Sequence, residues 1–237
     1  MFGIDPLYYI FALPALLFSM LASFLVKSTF SKFSRVSPST GMSGAEAAAR
    51  LLSHAGINDV SIEHIQGSLT DHYDPTAKVL RLSDSVYGSS SLSAVGVACH
   101  EAGHAIQHAT AYAPLKMRTS LVPVVNFGSR FSIYFILVGA LLAQSGSLGM
   151  TLVQIGIVLF AFSVLFALVT LPVEWDASAR AKKLMVAAGI VSRGEASSAG
   201  KVLNAAFCTY LAAAASSIAT LLYYLVRLGL IGGRSRD

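Results

Sequence analysis

Residues 97–106 read Val-Ala-Cys-His-Glu-Ala-Gly-His-Ala-Ile, an H-E-x-x-H pattern inside a stretch of helical periodicity. Histidines at i and i+4 project from one helical face about 6 Å apart along the axis, so His100 and His104 can reach one metal ion. Glu101 is turned about 100° from His100 on that helix. It can flank the ion without binding it and take a proton from an attacking water. The competing reading is a pair of ordinary helix histidines. With 6 His and 12 Asp+Glu in 237 residues, chance gives roughly 0.01 such patterns, which favours the metal reading.

A hydrolytic zinc site needs a third protein ligand and one open position. His108 continues the stripe at i+8, but about 12 Å along the axis is too far to share the ion. The longer arrangement with a later Gly and a third His is absent. His54, His64 and His72 are open candidates, each better explained as a polar loop or strand residue. Glu174, in Thr170-Leu171-Pro172-Val173-Glu174-Trp175-Asp176-Ala177-Ser178, is the stronger one. It is the first charged residue after an apolar run, and two apolar runs separate it from His100. An even number of crossings returns the chain to the side it left, whichever way it is inserted. The bland alternative is a helix-end carboxylate.

Four apolar stretches frame these residues. Residues 7–26 carry no charge and suffice to cross a bilayer core as a helix, with Pro14 as a possible kink. An uncleaved anchor fits better than a signal peptide, because the preceding residues include Asp5 and no Lys or Arg. Residues 131–144 and 150–171 form an expected helical hairpin across the flexible run Ser145-Gly146-Ser147-Leu148-Gly149. Residues 206–226 give the fourth span. The chain is 54% hydrophobic and 12% charged, about half the usual charged share, which excludes disorder and argues against an ordinary soluble enzyme.

The net charge is +5, from 17 Lys+Arg against 12 Asp+Glu, but the basic residues sit in small groups beside apolar runs. That is how orientation charges are placed, and no dense patch for nucleic acid exists. Lys27, Lys32 and Arg35, then Lys116, Arg118 and Arg130, then Arg180, Lys182 and Lys183 put 27–130 and 172–205 on the cytoplasmic side. Arg227, Arg234 and Arg236 vote the other way. Cys99 and Cys208 give no disulfide framework.

Within 27–130, Ser43-Gly44-Ala45-Glu46 has capping-box spacing, and a helix propagates from Ala47 to His54 until Gly56 can end it. Residues 60–66 and 78–82 read as two strands joined through the turn-rich Asp71-His72-Tyr73-Asp74-Pro75. The second strand is a candidate edge for an extended peptide. His72 or Tyr73 could donate to the oxyanion of a tetrahedral intermediate, although Asp and Pro there also suit a plain turn. A helix is expected from about Ser91 to His108.

These stretches resemble the neutral zinc metallopeptidases of bacterial membranes, the YugP-like family. The likeness is carried by Leu69-Thr70-Asp71-His72-Tyr73-Asp74-Pro75, by the 91–107 helix, and by Thr170-Leu171-Pro172-Val173-Glu174 with Asp176-Ala177-Ser178. Val202-Leu203-Asn204-Ala205-Ala206 and Thr209-Tyr210 extend it over nearly the whole chain. The resemblance implies an integral membrane zinc peptidase of the gluzincin type, with one Zn2+ per chain, His100, His104 and Glu174 as ligands, and Glu101 as base. In the wider gluzincin pattern an Asp four residues after the glutamate ligand braces a zinc histidine. Here that position is Ser178 and the nearest acid is Asp176, so the outer partners of the histidines stay open.

The expected fold is a mainly α membrane protein with about four transmembrane helices and a small α+β zincin-like catalytic domain at the membrane surface. Its segments are an anchor (1–26), a soluble α+β portion with the HExxH helix (27–130), a transmembrane hairpin (131–171), a helical segment supplying the third ligand (172–205), and a C-terminal span and tail (206–237). The expected partners are a peptide or protein substrate and the lipid bilayer, with a homo-oligomer or a membrane partner also compatible, and no nucleic acid. The expected place is a bacterial inner membrane with the site on the cytoplasmic face. Two rivals compete. An intramembrane, site-2-like protease needs its motif inside a long apolar segment, yet Asp84, the Gly88–Ser91 run and the polar side chains of 101–108 surround this one. A zinc-retaining, non-catalytic scaffold or assembly factor has no use for Glu101.

Overall fold

The computed structural model describes residues 5–142 and 146–231. In chain order the elements are α1 (Pro6–Phe33), α2 (Gly44–His54), β1 (Ser61–Ile65), β2 (His72–Asp74), β3 (Val79–Ser83), α3 (Leu92–Ala109), α4 (Ala113–Leu142), α5 (Ser147–Ala187) and α6 (Arg193–Arg227). Helices α1, α4, α5 and α6 are long and apolar enough to cross a membrane. Helices α1, α5 and α6 contain the expected runs 7–26, 150–171 and 206–226, and α4 contains residues 131–142 of the run expected at 131–144, but the helices do not stop where the apolar residues do. Helix α4 starts at Ala113, α5 continues to Ala187 and α6 starts at Arg193. Membrane length limits the apolar run, while good helix formers such as the Lys182-Lys183-Leu184-Met185 stretch carry the helix onward.

The chain divides into two compact units. One comprises Met1–Leu21, Met117–Leu171 and Tyr210–Asp237; the other comprises Ala22–Lys116 and Pro172–Thr209. In the first, α4 and α5 pack through glycines. A β-carbon on Gly139 would lie 2.7 Å from the Gly149 carbonyl oxygen, and one on Gly156 would lie 2.8 Å from that of Ser132. Small residues let apolar helices approach at backbone distance. This also explains a departure from expectation: Ser147-Leu148-Gly149, read as part of a flexible run, form the first turn of α5. Ala143, Gln144 and Ser145 of the same region, and Arg234 and Arg236 of the tail, lie outside the described residues. Asp5 accepts a hydrogen bond from the Tyr223 hydroxyl (3.1 Å) and forms an ion pair with Arg227 Nε at 3.2 Å.

In the second unit the capping box forms as expected: the Ser43 hydroxyl accepts from the Glu46 amide, and the Glu46 carboxylate accepts from the Ser43 amide at 2.8 Å. Helix α2 then buries Leu51 and Leu52 against α3 and the sheet. The sheet has the order β1-β3-β2, with β1 parallel and β2 antiparallel to β3. Two expectations are corrected here. Residues 72–74 are a strand, because the turn is displaced onto Asp74, whose Oδ1 accepts from the amides of Thr76 (2.9 Å) and Ala77 (3.1 Å). Asp71 instead holds the Ser83 amide at 2.7 Å, which leaves His72-Tyr73-Asp74 extended along β3. The strand at 79–83 is therefore central and has no free edge; its buried Val79, Leu80 and Leu82 suit that position. Leu80, Leu82, Leu92, Val95 and Ile106 join Ala181 and Met185 of α5 and Val202 of α6 in one core around α3. Each fully buried side chain of this size contributes about 1.5–3 kcal/mol.

Candidate metal centre

Helix α3 enters this core with Ser91 as its N-cap, the hydroxyl accepting from the Ala94 amide at 3.2 Å. Its alanine-rich and glycine-containing faces allow α5 to lie directly against it. On α5, Val173, Ala177, Ala181 and Met185 repeat at i+4 and are all buried. At the crossing, Gly103 meets the α5 backbone, where a β-carbon would come within 2.6 Å of the Ala177 carbonyl oxygen. The second variable position of the HExxH motif is thus where the two helices touch.

That approach brings the three candidate ligands together. One donor atom from each of His100, His104 and Glu174 lies within 4.8 Å of the others. Glu174 Oε2 is 3.1 Å from His100 Nε2 and 3.5 Å from His104 Nε2. The two rings stand edge to face with centroids 4.7 Å apart. The side chain of Glu174 is only 2% exposed, and those of His100 and His104 are 13% and 12% exposed. A carboxylate this buried is costly without a cationic partner.

The outer nitrogens are held too. His100 Nδ1 is 3.0 Å from Ser178 Oγ, and His104 Nδ1 is 3.0 Å from Gln107 Oε1. Gln107 Nε2 in turn donates to Val173 O (2.7 Å) and to Asp176 Oδ2 (2.8 Å), and Arg180 pairs with the same carboxylate. Both Nε2 atoms are thereby turned toward Glu174. Two imidazoles and a carboxylate with oriented outer shells are the donor types a zinc ion takes. The residues fit that ion.

The electrostatics agree with a site built for positive charge. Burial alone would lower the His104 pKa, but the bond to Glu174 and the charges of Glu101 and Glu174 outweigh it and hold the imidazole above its ordinary value. Glu174 lies past the apolar run of α5. Burial would raise its pKa, yet the bonds from His100 and His104 win and hold the carboxyl well below the usual carboxylate range. Glu101, next to His100 on α3, is 8% exposed. Cys99 faces the core instead; burial pushes its thiol up to about 12, so it is neither nucleophile nor ligand near neutral pH.

The other sequence candidates lie elsewhere. His72 Nδ1 bonds to Thr70 O at 2.9 Å, and the Tyr73 hydroxyl bonds to His108 Nδ1 at 2.9 Å. His64 pairs with Asp84 at 2.7 Å. Among the described residues none of these, nor His54, joins the His–His–Glu cluster. Ser178 and Asp176 do reach the site, one directly and one through Gln107. Gly103 and Gln107 were missed in the sequence, although Gln107 sits at i+3 from His104, where helical side chains meet.

Among the described residues, a mostly helical fold with four long apolar helices and a partly buried His–His–Glu cluster has the make-up of a membrane-associated metalloprotein. Comparison with known families narrows this class. Residues 8–229 match the family described as "Putative neutral zinc metallopeptidase", and the chain belongs to that family. It is 46% identical over 220 residues to "Putative membrane protease YugP" of Bacillus subtilis (strain 168), covering 93% of this chain and 96% of that relative. No solved structure matches the chain.

Proposed function

We propose that the protein is an integral membrane zinc peptidase of the gluzincin type, with one zinc ion held by His100, His104 and Glu174 and with Glu101 as general base. The observation that carries this is the convergence of His100 and Glu174, 74 positions apart, at 3.1 Å in a partly buried contact. Zinc, when bound, supplies Lewis acidity, polarising a scissile carbonyl and acidifying water. Glu101 takes the proton of the attacking water and returns it to the departing amine. Ser178 and Gln107 hold the two imidazoles in the orientation that ligation needs.

The substrate is a peptide or protein segment reached at the membrane surface. Support comes from α3, which carries the motif and is not one of the four apolar helices. Support also comes from Trp175, 56% exposed one residue after Glu174 and stacked under Lys182, since exposed Trp beside Lys is typical of the headgroup region. The basic residues flanking the apolar runs favour the cytoplasmic face of a bacterial inner membrane. The bilayer, and either a second copy of the chain or another membrane protein, complete the proposed surroundings. The test is cleavage of a peptide library by wild type and Glu101→Gln, with zinc content measured in both. Loss of cleavage with zinc retained supports the assignment, and cleavage by Glu101→Gln refutes it.

A further inference from the structure

The side chain of Gln107 is fully buried, and each of its polar atoms has a partner. Its Nε2 lies 2.7 Å from Val173 O and 2.8 Å from Asp176 Oδ2. A carbonyl and a carboxylate only accept, so the amide cannot flip without setting its oxygen against two others. Oε1 is therefore fixed on His104 Nδ1, 3.0 Å away. An amide oxygen also only accepts, which requires the proton of His104 to sit on Nδ1. In the neutral ring Nε2 then presents a lone pair toward Glu174 Oε2 at 3.5 Å, two acceptors that a metal ion between them would satisfy.

The same amide joins the two halves of the ligand set. Val173 immediately precedes Glu174, so the hydrogen bond to its carbonyl ties the last ligand-bearing turn of α3 to the turn of α5 that supplies the carboxylate. Asp176 is itself fixed by Arg180 Nε at 2.5 Å, and the Arg180 guanidinium lies over the Tyr112 ring at 5.6 Å.

We infer that Gln107 is a positioning residue: the chain Asp176–Gln107–His104 sets the His104 tautomer and the register of Glu174 against α3, in place of a direct carboxylate–imidazole contact. The metal part rests on the zinc reading proposed above; the tautomer part does not.

The experiment uses full-length protein in detergent, labelled with 15N-histidine. The His104 tautomer is read in the metal-free state, at a pH above the imidazole range, from two-bond 1H–15N correlations. Zinc affinity is read by competition with a chelator. Wild type should show the Nδ1-protonated ring. Gln107→Leu, which keeps bulk and removes the acceptor, should shift the ring toward the Nε2-protonated form and weaken zinc by about 10–100-fold, the usual cost of losing such a partner. Gln107→Glu sets a carboxylate against Asp176 and should weaken zinc as well. The double variant Gln107→Glu with Asp176→Asn restores a donor at one of the two contacts while Val173 O still meets an oxygen, so it should bind zinc more tightly than Gln107→Glu and less tightly than wild type, an outcome that loss of packing would not give. The inference is overturned if Gln107→Leu keeps both the wild-type tautomer and affinity, or if the double variant binds no better than Gln107→Glu. Should Gln107→Leu fail to fold, the double variant decides. Should wild type take up no zinc, the zinc reading falls and the tautomer still decides the role of Gln107.

Discussion

Gly103 lies so close to Ala177 that a β-carbon on it would sit 2.6 Å from the Ala177 carbonyl oxygen. This one contact sets how near the helix bearing the two histidines comes to the helix bearing Glu174. In an exposed helix, Gly→Ala stabilises by about 0.5–1 kcal/mol. Here overpacking against backbone costs about 1–3 kcal/mol, because a carbonyl cannot rotate away as a side chain can. The packing effect wins. Gly103→Ala is therefore expected to lower the thermal unfolding midpoint and weaken zinc in a chelator competition. A raised midpoint with unchanged zinc affinity would show that the two helices are not in backbone contact.

The depth of the site can be read from fluorescence, because Trp175 is the single tryptophan of the chain. It lies four residues beyond Leu171, the end of the apolar run, or about 6 Å of helix rise. In liposomes its emission should be quenched by lipids brominated near the headgroup end of the acyl chain more than by lipids brominated near the bilayer centre. Strong quenching by aqueous acrylamide with none from either lipid would place the residue, and Glu174 beside it, away from the bilayer.

Acid should loosen the start of α6 in a defined window. Glu195 accepts from the Ser192 amide at 2.7 Å and from the Ser39 amide at 2.6 Å, and these bonds bring its carboxyl down from 4.5 to about 2. A carboxyl depressed in the folded state stabilises above its ordinary pKa, and that contribution is lost as pH falls through the folded value. Protection of the Ser39 and Ser192 amides from hydrogen exchange should thus decline between about pH 4.5 and pH 2. In Glu195→Gln the two amides should be less protected at neutral pH and lack that acid step. A wild-type profile flat across the window would contradict the capping role.

Much of the site was legible because its chemistry depends on local spacing. The i, i+4 histidines, the intervening Glu101 and the Ser43–Glu46 capping box are each settled within one turn of helix, and the structure forms them where the residues indicate. The pairing with Glu174 could be anticipated only from the parity of apolar runs, since no local rule joins positions so far apart. The sheet was harder. Asp71, Asp74 and Pro75 mark a turn by composition, yet side-chain bonds from both aspartates move the turn by a few residues and leave His72-Tyr73-Asp74 free to pair with β3. Whether β3 was edge or centre depended on that hidden strand. Gln107 looked like one more polar residue on a helix, because its partners, Val173 O and Asp176, belong to α5.

The central claim is that His100, His104 and Glu174 hold the same ion, and elemental analysis of zinc per chain tests it most directly. In detergent-purified protein the account predicts one zinc per chain in wild type and in Glu101→Gln, and substoichiometric zinc in Glu174→Ala and His104→Ala. A full complement of zinc in folded Glu174→Ala, equal to wild type, would contradict it.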